Sequence, residues 1–226
     1  MWIAVFILIY GKEKPVLITQ VLIKIYSRIT KYLFNSADEV HFPSFWLKEL
    51  YEKWNFFSDS KKKVVRNFRI NTEDLLKHKK LKKQGEINFL YLGQIEEYKG
   101  ILFLIETLHK LQALPYRLRV VGQGSQLKRA KEIAKDNPNI VFYGYQAPAQ
   151  LNNFFSQSDF TIVPSICYEN SPNVIYESLQ AKIPVIAAKI GGIPELIKHK
   201  KNGLLFKAGQ ANGLLKAVKM SINLSQ

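Results

Sequence analysis

Two glutamates with seven residues between them, Glu169 and Glu177, stand in the segment Pro164-Ser165-Ile166-Cys167-Tyr168-Glu169-Asn170-Ser171-Pro172-Asn173-Val174-Ile175-Tyr176-Glu177. Ser171 followed by Pro172 predicts an N-cap and first-turn pair, which puts Glu169 in the loop ahead of a helix and Glu177 on its second turn. Both carboxylates can then face one crevice. The N–H groups of Asn173 and Val174 would lack partners inside the helix, and the helix dipole favours negative charge at that end, so the site suits an anion. Pro172 has no N–H to add. A second candidate is Gly93-Gln94-Ile95-Glu96-Glu97-Tyr98-Lys99-Gly100, where glycines permit close backbone approach and Lys99 supplies a point charge. That combination suits a phosphate at a helix start, although a plain turn reads the same way. Gly191-Gly192-Ile193-Pro194-Glu195 is equally open between a ligand turn and an ordinary one. Gly122-Gln123-Gly124-Ser125-Gln126-Leu127 fails as a dinucleotide fingerprint, since Leu127 occupies the third glycine position and no acidic residue closes the following strand. It reads instead as a turn, with Ser125 capping the next helix.

These residues punctuate a steady alternation. Strands are predicted at Ile87–Leu92, Leu118–Val121, Ile140–Tyr143, Phe160–Val163, Val185–Ala188 and Leu204–Phe206. Helices are predicted at Ile101–Leu114, Ser125–Asp136, Ala147–Ser156, Asn173–Ala181, near Pro194–Ile197 and from Ala211. Such an order specifies an α/β fold with a parallel sheet covered by helices on both faces. Ligands of these sheets bind beyond the carboxyl ends of the strands, which is where the candidate residues fall. Upstream, Trp2–Tyr10 reads as a buried strand, too short to span a membrane and without the flanks of a signal peptide. Val16–Phe34 reads as an amphipathic helix packed on a sheet, with a basic face that could alternatively lie on lipid headgroups. Glu39–Pro43 predicts a strand, Ser44 an N-cap for a helix to Trp54, and Lys63–Arg66 another strand. The lysine-rich stretch 71–86 has little apolar periodicity and reads as a linker between 1–70 and 87–226.

The length of 226 residues allows one large domain or one and a half smaller ones, and 47% apolar with 23% charged residues is a folded composition. The net charge of +15 points to an anionic partner: a phosphorylated small molecule, a membrane surface or a polyanion. Nucleic acid is disfavoured because the aromatics sit in apolar runs and are not interleaved with the basic residues. One cysteine, Cys167, excludes an intramolecular disulfide, and four scattered histidines lack ligand spacing, so no metal site is expected.

Taken in order, Leu92-Gly93-Gln94 with Lys99-Gly100, Val121-Gly122-Gln123-Gly124, Phe142-Tyr143-Gly144, Ser158-Asp159 leading to Pro164-Ser165, the Glu169/Glu177 pair, Pro184-Val185-Ile186 and Gly191-Gly192-Ile193-Pro194-Glu195 form a recognisable set. The set resembles the C-terminal half of a family 4 retaining glycosyltransferase with the two-domain GT-B fold. Ala37-Asp38-Glu39-Val40 with Pro43-Ser44 looks like the end of that family's N-terminal domain.

The resemblance implies a Rossmann-like doubly wound sheet in 87–226 that binds a nucleotide sugar, preceded in 1–70 by a remnant of an acceptor-side domain. It also implies that the chain stops before the family's closing helices. By the same resemblance Glu169 would bind hydroxyls of the donor hexose beside the reacting carbon and Glu177 the ribose hydroxyls. Lys99 would neutralise the diphosphate with help from the backbone at Asn173 and Val174, and Gly93, Gln94, Asn170 and Ser171 would line the donor site. The implied reaction moves a hexose from a nucleoside-diphosphate sugar to a saccharide or lipid-linked acceptor with retention. No cofactor is needed, and no Asp-x-Asp pair is present to hold a divalent ion. The setting would be polysaccharide or lipopolysaccharide assembly in the cytoplasm, in peripheral contact with the inner face of an anionic membrane. A non-catalytic nucleotide-sugar-binding fragment is the alternative. Gln94 departs from the family, which commonly has arginine there.

Overall fold

The computed structural model describes residues 17–66, 86–111 and 114–223. The predicted strand Trp2–Tyr10 and the linker apart from Glu86 lie outside these residues. What is described divides into two compact units. The first takes in the described residues up to Phe42 together with Leu47–Val65, and the second Pro43–Trp46 together with the described residues from Arg66 onward.

In the first unit a helix α1 (Leu17–Asn35) precedes strand β1 (Glu39–Phe42), helix α2 (Phe45–Lys53) contributes its residues from Leu47 onward, and strand β2 (Lys61–Val64) pairs in parallel with β1. Phe42 is buried, and its ring meets Tyr51 and Phe57, while Phe34 at the end of α1 stacks on Phe57. The rest of α1 departs from expectation: Val21, Leu22, Ile25, Tyr26, Ile29 and Leu33 are exposed. Among the described residues the only sheet in this unit has two four-residue strands, too little surface to cover a helix of 19 residues.

The second unit holds six parallel strands: β3 (Ile87–Leu92), β4 (Tyr116–Val121), β5 (Ile140–Gly144), β6 (Phe160–Val163), β7 (Val185–Lys189) and β8 (Gly203–Lys207). Between them run helices α3 (Ile101–Leu108), α4 (Leu127–Ala134), α5 (Pro148–Ser156), α6 (Asn173–Gln180) and α7 (Ile193–Leu196), with α8 (Ala211–Asn223) last. The spatial order is β5-β4-β3-β6-β7-β8. The chain therefore winds outward from β3 to β5, returns to lay β6 against the other side of β3, and winds outward again, as in a doubly wound sheet.

The near-continuous apolar strands follow from burial on both faces. Phe89 and Ile162 join Leu104, Ile105, Leu214 and Val218 on the side of α3 and α8. Leu90 turns to Phe154 and Phe155 of α5, and Val163 and Val185 to Ile175, Leu179 and Leu196 of α6 and α7. Asp159 ties the amino ends of the two central strands, its carboxylate accepting the Asn88 N–H at 2.8 Å and its own N–H donating to the Asn88 carbonyl at 2.7 Å. That residue is structural and lies at the end of the sheet away from the candidate loops.

The element order agrees with the sequence reading; strand bounds shift by up to two residues, as where β2 occupies Lys61–Val64 and not Lys63–Arg66, and the larger differences lie at helix ends, α3 stopping at Leu108 and not Leu114. Ser125 does not begin α4, which starts at Leu127. The Ser125 N–H and hydroxyl are both held by the Glu96 carboxylate, at 2.7 and 2.6 Å. Ser171 is likewise not an N-cap. Pro172 takes that position before α6, and the Ser171 hydroxyl pairs with Tyr176 Oη at 2.8 Å. In both cases another side chain takes the hydroxyl that a cap would have used, Glu96 from the preceding strand-to-helix loop for Ser125 and Tyr176 from within α6 for Ser171.

Candidate functional site

The order in which strands are added to the sheet reverses between the parallel neighbours β3 and β6, so the loops leaving their carboxyl ends, 93–100 and 164–172, lie side by side. They are bound through backbone. The N–H groups of Ile166 and Cys167 both donate to the Tyr98 carbonyl, at 3.1 and 3.3 Å. Gly100 (φ +75°) packs so closely on Pro164 that a Cβ would overlap the Pro164 carbonyl. Gly122 packs in the same way on the carbonyl of Gly93, and Gly124 on that of Ile95. Those two glycines are thus required by the approach of one loop to another, beyond the turn expected of them.

Lys99 ends a short 3-10 turn, Glu97–Lys99, just before α3. Its ammonium donates to Glu169 Oε1 at 2.7 Å, and the hydroxyl of buried Ser165 donates to the same oxygen at 2.9 Å. The Glu169 side chain is 13% exposed against 28% for Lys99, so the carboxylate is the more enclosed partner. Its backbone is clamped from the far side, where the Glu169 carbonyl accepts the Gly192 N–H at 2.8 Å. Cys167 lies in the same loop; burial first, and the nearby Glu169 charge second, push its thiol pKa up, so it stays protonated near neutral pH.

Asn170 is held through its side chain, Oδ1 accepting the hydroxyl of buried Ser44 at 2.5 Å. Two residues on from Ser44, the Trp46 ring stacks on Tyr168 at 5.2 Å. Glu195 accepts the N–H groups of Phe45 and Trp46 at 3.0 and 2.7 Å and pairs with Arg66 at 3.4 Å. The Gly191–Glu195 turn therefore has work in both directions: its glycines hold the Glu169 loop, and its glutamate holds the Pro43–Trp46 segment.

Gln94, in the same loop as Lys99, has no charge to bring to this cluster. Its side-chain oxygen accepts from Tyr98 Oη at 3.1 Å, and its carbonyl accepts from Tyr91 Oη at 2.6 Å. Burial holds the Tyr91 hydroxyl well above the usual phenol range, with the Glu169 charge adding to it, so it remains a donor. Asn173 and Val174 open α6 immediately after this loop.

Glu177 is half-buried on the second turn of α6, and its carboxylate has no hydrogen-bond or ion-pair partner among the described residues. Burial raises its pKa above the ordinary glutamate value. A raised carboxyl pKa means that the folded state binds the proton more tightly than the unfolded chain. The contribution to stability is then full below the unfolded value of 4.5 and is lost as pH rises through the folded value. Glu177→Gln should accordingly gain stability relative to the natural chain as pH rises from 4 to 7, while the two converge at low pH. Urea titrations across that range check this, and a constant difference would contradict it.

Of the residues singled out in the sequence, the structure brings Lys99 and Glu169 into direct contact. Asn170 and Ser171 lie beside them with their side chains committed to Ser44 and Tyr176. Sequence reasoning misses the parts that Ser165, Ser44 and Glu195 play in this assembly. For Glu195 a signal exists, an acid placed just after a glycine turn; for Ser44 no local signal marks a partner 126 residues away.

Comparison with known proteins gives this arrangement a family. A family model described as Glycosyl transferases group 1 matches residues 72–225. The lipopolysaccharide 1,2-N-acetylglucosaminetransferase of Salmonella typhimurium is 30% identical over 145 residues, covering 58% of this chain and 37% of that protein. The putative teichuronic acid biosynthesis glycosyltransferase TuaC of Bacillus subtilis is 32% identical over 130 residues, covering 57% and 31%. The chain spans less than half the length of such relatives.

Among solved structures, the sucrose-phosphate synthase of Thermosynechococcus elongatus superposes with a TM-score of 0.71 at 21% identity, over 88% of this chain and 53% of that one. The Anabaena protein HepE in complex with UDP and glucose gives 0.69 at 23%, over 86% and 56%. These likenesses establish the fold, that of GT-B glycosyltransferases. Since the family model covers well over half of the residues and carries the Lys99, Glu169 and Gly191–Glu195 loops within its match, the chain belongs to the glycosyl transferases of group 1.

Proposed function

We propose that residues 87–226 bind a nucleoside-diphosphate sugar, and that the whole protein transfers its hexose, with retention and without a metal ion, to a saccharide or lipid-linked acceptor. Residues 1–70 belong in this reading to the acceptor-side domain, joined through 71–86. The observation that carries the proposal is the cluster of Lys99, Glu169 and Ser165 where the loops after β3 and β6 meet, the place at which doubly wound sheets bind ligands. Departure of a nucleoside diphosphate from an anomeric carbon builds negative charge on phosphate oxygens. An ammonium at Lys99 and the first turn of α6 are fixed groups of the right sign to stabilise it. Glu169, enclosed and acceptor-only, is suited to hexose hydroxyls, and Glu177, without a protein partner among the described residues, to the two hydroxyls of a ribose.

The acceptor class is supported by relatives whose names place them in lipopolysaccharide, teichuronic acid and colanic acid biosynthesis. The basic balance of +15 supports peripheral contact with an anionic membrane, and no helix among the described residues is long and apolar enough to cross one. Calorimetry with UDP, GDP and ADP, and with UDP-glucose, GDP-mannose and ADP-glucose, tests the division of labour. Glu177→Ala should weaken free nucleotide and nucleotide sugar alike by about 10-fold, the loss of hydrogen bonds to a charged group. Glu169→Ala should not weaken the free nucleotide and should abolish the extra affinity contributed by the sugar. Equal losses in the two variants would refute the assignment. Binding of a sugar nucleotide with neither transfer nor hydrolysis would leave a non-catalytic donor-binding chain.

A further inference from the structure

The proposed function asks Lys99 to hold a diphosphate, yet its ammonium is already engaged at 2.7 Å by Glu169 Oε1. That oxygen takes a second hydrogen bond from Ser165, at 2.9 Å, and Ser165 is 2% exposed, so its hydroxyl has no water to turn to. The two donors differ in kind. Ser165 sits on the short backbone that leaves β6, with Pro164 locked against Gly100, and cannot move far. Lys99 has a four-carbon stem, is more than a quarter exposed, and can swing its ammonium to another anion.

We infer that Glu169 and the donor's diphosphate compete for Lys99, and that Ser165 is the positioning residue that keeps the Glu169 carboxylate in place when the ammonium leaves. This rests on the donor-binding reading above and adds a residue and a coupling to it. With Ser165 in place, the carboxylate keeps one strong donor after Lys99 departs, so the exchange is cheap. Without it, an enclosed carboxylate would be left with no described donor, which is costly, and so it would hold Lys99 more tightly. Ser165 thereby sets how readily the lysine is released to the diphosphate, without touching the nucleotide itself.

The consequence has a sign that a simple count of contacts would not give. Ser165→Ala should weaken binding of a nucleoside diphosphate by roughly 3- to 10-fold, one hydrogen bond to a charged group transferred to the competing pair. Glu169→Gln should tighten the same binding by about 10-fold, because the competitor has lost its charge. In the Glu169→Gln background, Ser165→Ala should change affinity by less than about 2-fold, since nothing remains for the serine to hold against Lys99. Ser165→Thr, which keeps the hydroxyl, should restore the natural affinity. A serine whose part was only to pack would weaken binding equally in both backgrounds.

The experiment is isothermal calorimetry on the full 226-residue chain and these four variants with UDP, GDP, ADP and inorganic pyrophosphate, with thermal unfolding recorded alongside. Opposite signs for Ser165→Ala and Glu169→Gln, together with a Ser165→Ala change that is silent once Glu169→Gln is present, support the inference. Weakening by Glu169→Gln, or equal losses from Ser165→Ala in both backgrounds, overturns it. Should the natural chain bind none of the four, the donor-binding reading falls first and this one with it, a result distinct from either.

Discussion

Gly191→Ala should cost this chain both stability and its Glu169 site, although residue 191 bears no chemistry of its own. Gly191 stands at φ +57°, where an L side chain is strained by about 1 kcal/mol. More important is what a Cβ would meet there, the carbonyl oxygen of Glu169, with the Glu169 nitrogen at 2.9 Å. Neither is the end of a flexible side chain. Both belong to backbone already fixed by the Gly192 N–H at 2.8 Å and, through Asn170, by Ser44 at 2.5 Å.

To admit the methyl group the Glu169 loop must shift by about 1 Å, breaking the Gly192 bond and drawing the carboxylate away from Lys99 and Ser165. The expected loss of stability is about 2 to 4 kcal/mol, the sum of the strained dihedral and an overpacked backbone contact. In the role proposed for Glu169 beside the donor hexose, a displacement of that size should cost about 100-fold in transfer. Chemical denaturation and a transfer assay with a sugar nucleotide would show both. Gly209 is the control: it also has positive φ, +69°, but nothing lies within 4 Å of its would-be Cβ, so Gly209→Ala should carry the strain alone and leave ligand binding intact.

This contrast bears on what can be read from the chain itself. The order of elements is legible because burial on both faces imposes it locally. A strand such as Phe160–Val163, enclosed at every residue, must be a short apolar run, and it appears in the structure with the predicted bounds. Lys99 and Glu169 can be placed near one another because they follow two strands that a doubly wound sheet puts side by side. What cannot be read is which atoms those loops hold. Ser171 and Ser125 carry a strong local preference for capping, and each hydroxyl goes instead to another side chain, that of Tyr176 in the following helix in one case and of Glu96 in another loop in the other. Glu195 reaches residues 149 and 150 positions earlier, and no periodicity encodes such a pairing. The glycines of the 122–124 and 191–192 turns are visible as turns. Their second demand, room for another loop's carbonyl, becomes visible only once both loops are in place.

Lys99→Met should weaken nucleoside-diphosphate binding by about 100-fold while leaving the fold close to its natural stability. The two halves of that expectation rest on different surroundings of the same ammonium. Against stability, the Lys99–Glu169 pair is partly exposed on the lysine side, and the carboxylate retains its bond from Ser165, so the loss should stay at about 1 kcal/mol. Against binding, two effects add. Charge-assisted hydrogen bonds to phosphate oxygens are lost, worth about 1.5 to 3 kcal/mol or roughly 10- to 150-fold. In addition Glu169, no longer neutralised, faces the incoming anion with its full charge from an enclosed position.

The second effect is separable. Glu169→Gln added to Lys99→Met should recover part of the lost affinity, which a purely structural lesion would not allow. Lys99→Arg keeps the charge but exchanges a compact ammonium for a wide planar fork, and should retain more affinity than Met and less than Lys. Calorimetry with UDP, GDP and ADP at two salt concentrations reads all three variants. A loss below about 3-fold in Lys99→Met, with normal unfolding, would remove Lys99 from the diphosphate site and leave its pairing with Glu169 as a structural bond alone.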